Sequence, residues 1–303
     1  MEDLPMKINR TFFISLTNLL CCLTFFFIAL DPVMADAETE HSVRLAPTRV
    51  ILEGRARAAT VRLINPNATE RRYRISLVSV RMDETGVRQI VNEPSEAERF
   101  AQSLIRFSPR QVTIPGGGSQ VVRLMVQKPN DLAPGEYRAH FMVSPVPEAK
   151  SGKNRDAGQS PKKIGISIDI RFQVSIPILI RQGGGKSEGI VRTPILKKQE
   201  KGEGVDLTFT LERTGPFSLL SDIRVYRMAG KTGGKEKIGE VQGIPSYTPV
   251  TRQRVTIPLA IGRNLKTFAD QSLVIDIHDC EKEGKPLVRS TAFPDLFRTS
   301  IID

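Results

Sequence analysis

"GISIDIRFQVSIPILIRQGGGKS", residues 165–187, is the stretch on which the fold turns. Counting back one residue, every even position is apolar: Ile164, Ile166, Ile168, Ile170, Phe172, Val174, Ile176, Ile178 and Ile180. Between them stand Ser167, Asp169, Arg171, Gln173 and Ser175. Successive side chains leave a β-strand on opposite sides, so strict alternation marks a strand with one apolar face. The run closes on Gly-Lys-Ser, which looks like the end of a phosphate-binding loop. That motif also needs a glycine where Ile180 stands, and a helix next whose N-terminal amides hold the phosphate. "EGIVRTPIL" follows instead, strand-like and broken by Pro194. The glycines therefore read as a linker between two β-rich units.

The strand is too long for one sheet. Its 17 residues, at about 3.3 Å each, would span roughly 55 Å, against the five or six residues of an ordinary strand. Ile176 to Ile180 can fill the core of its own unit. Ile164 to Val174 would then be an exposed edge carrying an apolar row, an arrangement that templates pairing with another chain. The functional reading is β-augmentation, with the strand lent to a partner. Burying Ile166, Ile168, Ile170, Phe172 and Val174 would contribute roughly 8–15 kcal/mol before ordering costs. The competing reading is that the row simply fills its own sandwich.

Outward from this strand, period two recurs. "ATVRLIN", "RYRISLVSVRM", "VRQIVNE", "SQVVRLMVQ" and "YRAHFMVSPV" precede it. "VDLTFTLER", "SDIRVYRM", "KIGEVQGI", "TRQRVTIPLAI" and "QSLVIDIHD" follow it. Turn chemistry separates them, as in "NPNATE", "DETG", "IPGGGS" and "KPNDLAPGE". Short strands at this spacing predict antiparallel β-sandwiches, and no useful amphipathic helical stretch is expected among them. Asn67-Ala68-Thr69 matches a glycosylation sequon but reads as a turn. The polar, basic segment 148–165 reads as a loop.

The amino-terminal region stands apart. Lys7 and Arg10 precede the apolar stretch "TFFISLTNLLCCLTFFFIAL", and "DPVMADAE" then offers small residues at cleavage spacing. This predicts a signal peptide cut after Ala35 or Ala37. Cys21 and Cys22 would leave with it, so Cys280 stands alone and no intramolecular disulfide can staple the mature chain. The whole chain carries 44 Lys+Arg and 33 Asp+Glu. Removing Lys7, Arg10, Glu2, Asp3, Asp31 and Asp36 leaves 42 basic and 29 acidic side chains, a net +13. Such a surface suits acidic partners. Nucleic acid is not expected, because the charges are scattered and the chain has no Trp and only 4 Tyr. No enzyme is expected either. His278 and Asp279 are adjacent on a strand and point to opposite faces, and none of His41, His140 and His278 has another histidine within six residues. No cofactor or metal is expected.

With these segments in view, a resemblance takes shape. "APTRVILEG", "RFSPRQVTIPGGGSQVVRL", "GEYRAHFMVSPVP" and the long alternating strand resemble the periplasmic PapD-like chaperones of chaperone–usher pilus assembly, strongest from Arg44 to Arg181. The chain looks like a divergent member. The resemblance implies an all-β fold of two immunoglobulin-like sandwiches in a boomerang arrangement, after a signal peptide. The segments would be 1–37 signal, 38–181 chaperone domain with a long G strand, 182–187 glycine hinge and 188–303 second sandwich. It implies a periplasmic, non-enzymatic chaperone that binds pilin or fimbrial subunits by donor-strand complementation and passes them to an outer-membrane usher. Self-association of the unloaded protein is left open. The alternative is an exported structural or adhesive β-sandwich protein of the cell surface.

The resemblance also implies roles for residues. Arg49 falls on the family's first anchor for the subunit's terminal carboxylate, and a guanidinium can grip a carboxylate with two parallel hydrogen bonds. The second anchor, a Lys, falls on Pro177, which leaves Arg171, Lys162 and Lys163 as candidates. The donor positions are Ile166, Ile168, Ile170, Phe172 and Val174. Arg181 and Asp279 match an interdomain ion pair, whose first-domain Glu finds no counterpart around Ser144 and Pro145.

Overall fold

The structure, a computed structural model, describes residues 42–147, 172–199, 204–229, 234–262, 264–265, 271–280, 291–293 and 296. The signal peptide and the expected site residues Lys162, Lys163, Ile166, Ile168, Ile170 and Arg171 lie outside them.

Four sheets account for the strands among the described residues. The first runs in the order β1 (Arg44–Ala46), β3 (Ala58–Ile64), β8 (Ser119–Val126), β6 (Ile105–Ser108). The second runs β2 (Val50–Leu52), β10 (Val174–Gln182), β9 (Gly135–Pro145), β4 (Arg71–Met82), β5 (Arg88–Val91), and β7 (Gln111–Ile114) also pairs with β4. Their facing side chains close one core, built on Val61, Leu63, Val122, Leu124, Phe141, Val143, Ile178 and Ile180. The third sheet is β11 (Glu188–Lys198), β12 (Val205–Thr214), β15 (Arg252–Leu259). The fourth is β14 (Lys235–Ser246), β13 (Leu219–Ala229), β16 (Gln271–Asp279), β17 (Thr291–Phe293). A second core lies among them, around Leu207, Phe209, Ile223, Val225, Ile257 and Ile275. Alternation explains the elements directly. In β12 the odd residues Val205, Leu207, Phe209 and Leu211 are buried and the residues between them are half-exposed. The fold is two sandwiches in tandem.

Turn chemistry closes the far end of the first sandwich. Asn65 is fully buried, and its Nδ2 reaches the carbonyls of Thr69, Ile114 and Pro115 at 2.8, 3.0 and 3.1 Å. Its Oδ1 accepts from the backbone N–H of Asn67 at 3.1 Å and from the Tyr73 hydroxyl at 3.3 Å. The "NPNATE" and "IPGGGS" turns meet so closely that a Cβ on Gly116 would lie 1.9 Å from the Ala68 carbonyl oxygen. Asn65→Leu leaves those buried groups unpaired, and each costs about 1–3 kcal/mol when orphaned. We expect a loss of about 2–3 kcal/mol in urea unfolding, with the slope unchanged.

One element departs from expectation. Glu96–Ser103 is an α-helix, α1, where the strand-only reading placed none. Ser95 and Glu98 form a reciprocal capping box: the Glu98 N–H donates to Ser95 Oγ at 3.3 Å and the Ser95 N–H to Glu98 Oε2 at 2.7 Å. Eight residues are too few for periodicity to reveal, but "SEAE" at 95–98 is the start signal. The glycine linker is also tighter than its composition implies. Gly183 and Gly185 hold φ values of +80° and +148°, and a Cβ on Gly185 would sit 2.6 Å from Pro216 Cγ. Strand β11 follows where a phosphate loop would need a helix.

Candidate functional site

β10 is the tail of the long alternating strand. It pairs antiparallel with β9 along its whole length, from Val174 opposite Val143 to Gln182 opposite Gly135. On its other side the parallel strand β2 covers only Ile178–Ile180. Among the described residues, Val174, Ser175, Ile176 and Pro177 thus have no partner strand on that edge. Ile176, Ile178 and Ile180 are buried in the first core, and Val174 packs partly against it. Two residues upstream in the same phase, Phe172 is 58% exposed. At Phe172 the core-facing row has therefore left the core for solvent.

Arg49 precedes β2 by one residue. Because Val50 stands opposite Ile178 in a parallel register, Arg49 falls level with Pro177. This is the pairing of positions that the sequence resemblance implies for the two carboxylate anchors. Arg49 is half-buried, and its Nη1 donates to Cys280 Sγ at 2.8 Å. Burial pushes the Cys280 thiol pKa up, and the neighbouring Arg49 opposes that rise. Cys280 packs beside a third apolar cluster, Met82, Leu179, Leu220 and Tyr247, to which both sandwiches contribute.

Arg181 is the next-to-last residue of the strand. Its Nε meets Glu136 Oε2 at 3.3 Å, its Nη2 donates to the Ser218 carbonyl at 3.1 Å, and its guanidinium lies 5.3 Å from the Phe217 ring centroid. An acid from the first sandwich is therefore present: it is Glu136, on β9, rather than a residue near Ser144 and Pro145. Glu136 also accepts from the Ser218 N–H at 3.0 Å, from the Thr248 hydroxyl at 3.2 Å and from the Ser218 hydroxyl. Asp279 lies at the end of β16, opposite Ser221, and borders the Cys280 thiol.

Comparison with known proteins places this geometry. Residues 42–182 match the family model for pili and flagellar-assembly chaperone, PapD N-terminal domain. This stretch of the chain is similar to a PapD N-terminal domain. No curated protein sequence matches the chain. Among solved structures it is similar to the Pseudomonas aeruginosa CupB2 chaperone, at 13% identity and a TM-score of 0.40, over 83% of this chain and 100% of that one. It is also similar to the class 5 fimbriae chaperone CfaA, at 12% identity and a TM-score of 0.40, over 82% and 99% of the two chains. A third is the CsuC–CsuE chaperone–tip adhesin subunit complex from Acinetobacter baumannii, at 13% identity and a TM-score of 0.37, over 84% and 97%.

Between the first sandwich and the one that follows it lies a set of residues that the sequence does not single out as a group. Arg138 is half-buried, donates to the carbonyls of Val80 and Thr248 at 3.0 Å each, and lies over the Tyr247 ring at 4.3 Å. His140 meets the same ring edge-on, with centroids 6.0 Å apart. Burial first, then the charges of Arg138 and Arg88, push the His140 pKa down to about 3. Burial raises the Tyr247 pKa, and Arg138, Arg88 and Arg49 oppose that rise. A basic residue two before a histidine on a strand was the visible signal, since it puts both side chains on one face. Tyr247, more than 100 residues away, gave none.

Proposed function

We propose that this chain is a periplasmic chaperone for pilus subunits and binds them by lending the strand that leads into β10. The observation that carries the reading is the exposed Phe172 in phase with the buried Ile176, Ile178 and Ile180. Ile166, Ile168 and Ile170 continue that phase in the sequence, and Val174 stands at the junction. An extended partner segment can hydrogen-bond along the free edge while the even side chains fill its groove. Arg49 would receive the partner's terminal carboxylate, with Arg171, Lys162 or Lys163 as a second cation. Arg181 would tie the sandwiches through Glu136 and Asp279. The reaction is binding alone, without a nucleotide or metal, and the loaded subunit would pass to an outer-membrane usher.

The test is recovery of the tagged protein from the periplasm of its host, wild type against the Ile168→Asp, Ile170→Asp double variant, with bound proteins identified by mass spectrometry. Recovery of a small β-rich subunit near one to one by wild type, and at least tenfold less by a folded variant, is the expected result, since two buried apolar side chains are worth more than that factor. A variant that cannot fold, or a wild type that comes alone, would make the row ordinary core and favour an exported surface protein.

A further inference from the structure

The sheet that does not contain β10 presents an outer face with an unbalanced charge pattern. Its inward positions, among them Leu45, Val61, Leu63, Val122 and Leu124, are buried in the first core. The alternate positions face solvent, and four of them are arginines: Arg44 on β1, Arg62 on β3, Arg123 on β8 and Arg106 on β6, one on each strand and all exposed. The register places them in a diagonal line. Arg44 stands opposite Ile64, two residues from Arg62; Arg62 stands opposite Val121, two from Arg123; Arg106 stands opposite Met125, two from Arg123. No Asp or Glu occupies any outward position of these four strands.

Diagonal neighbours on a sheet face lie about 7–8 Å apart, close enough for like charges to repel. Such a line is self-destabilising alone and complementary to a row of anions. Alternate side chains of an extended peptide are spaced about 6.6 Å, near the pitch of the arginine line. Guanidinium forks fit carboxylates with two parallel hydrogen bonds. Val121 and Met125, 40% and 58% exposed, stand directly opposite Arg62 and Arg106 and offer apolar contact to the residues between the carboxylates. A membrane-surface site would place aromatic anchors among the cations, and this face has none.

We infer that the outer face of the β1–β3–β8–β6 sheet is a docking surface for an extended acidic segment of a partner protein, with carboxylates at alternate residues meeting Arg44, Arg62, Arg123 and Arg106. This surface belongs to the sheet of the first sandwich that does not contain β10, although its β1 edge packs beside β10.

The experiment titrates the full chain into a fluorescein-labelled peptide of alternating Glu and Thr and follows anisotropy, with a Gln–Thr peptide as control. The expected result is binding of the Glu–Thr peptide alone, weakened about tenfold by Arg62→Gln, Arg123→Gln and by raising NaCl from about 50 to 300 mM, where the screening length falls below the charge spacing. The double variant should melt as wild type does and still recover its periplasmic partner, while the Ile168→Asp, Ile170→Asp variant should keep its peptide affinity. Equal affinity for both peptides, equal affinity of wild type and the arginine variant, or retention only on phosphatidylglycerol vesicles would overturn the inference.

Discussion

Glu136→Ala destabilises the protein by about 3–5 kcal/mol, because it takes from a buried guanidinium its buried acid and leaves it the solvent-exposed Glu53 carboxylate, 3.7 Å away. The Glu136 side chain is fully buried and that of Arg181 is 9% exposed, so water cannot take over the lost interaction. The carboxylate also collects the Ser218 N–H and the Ser218 and Thr248 hydroxyls. Removing it strands donors from the second sandwich and weakens the pairing of a cation from the first. Glu136→Gln keeps the shape and some of the acceptors while losing the charge, and should cost about 1–3 kcal/mol.

A double-mutant cycle separates the pair from its surroundings. Arg181→Ala alone leaves Glu136 buried with its three second-sandwich donors, so it should cost less than Glu136→Ala. The double variant should fall short of the sum of the two by at least about 1 kcal/mol, the coupling expected of residues in one network. Chemical denaturation gives the energies. A Glu136→Ala cost below about 1 kcal/mol would show that the network is surface-like and that the apolar cluster of Met82, Leu179, Leu220 and Tyr247 holds the sandwiches together without it.

Strands whose alternation is strict were legible before any coordinates. β12 and β15 bury every second residue as their sequences imply, and the phase of Ile176, Ile178 and Ile180 is the one the structure uses. Period two survives because one face of each strand is buried and a slip by one residue would expose it. Arg49 is singled out only by the motif around it, and the parallel register of β2 with β10 is what sets it level with Pro177. The Glu136 network was not legible, because its members are 45, 82 and 112 residues apart and no local pattern marks them. α1 escaped because a helix of eight residues has room for only two turns, and its capping box is a stronger signal than its periodicity.

Acidification from pH 7 to 5 should cost about 2 kcal/mol through His140 alone, rising to about 3 by pH 4. The sign follows from the direction of the shift. The folded state holds the imidazole neutral down to about pH 3, against 6.5 for the free side chain. Between those values the unfolded chain binds a proton that the folded chain refuses, so the contribution is complete above pH 6.5 and is lost as pH falls toward 3. The cause is geometric: His140 sits beneath Tyr247, beside the charges of Arg138 and Arg88, and neither ring nitrogen has a hydrogen-bonding partner among the described residues. The two carboxylates held most strongly ionised, Glu98 and Glu240 at about 2, lose their contributions at lower pH, below their ordinary value of 4.5. The interval from pH 6.5 to 5 therefore reports chiefly on the histidine. His140→Leu should flatten the stability profile across that interval. It should also raise stability at pH 7 by about 1 kcal/mol, because two desolvated nitrogens are replaced by apolar atoms of similar volume. Urea midpoints at pH 7, 6 and 5 for the two proteins decide it: parallel profiles would mean that the protonated imidazole finds solvent or an acid in the folded state, and that the contact between Tyr247 and the first sandwich opens without unfolding.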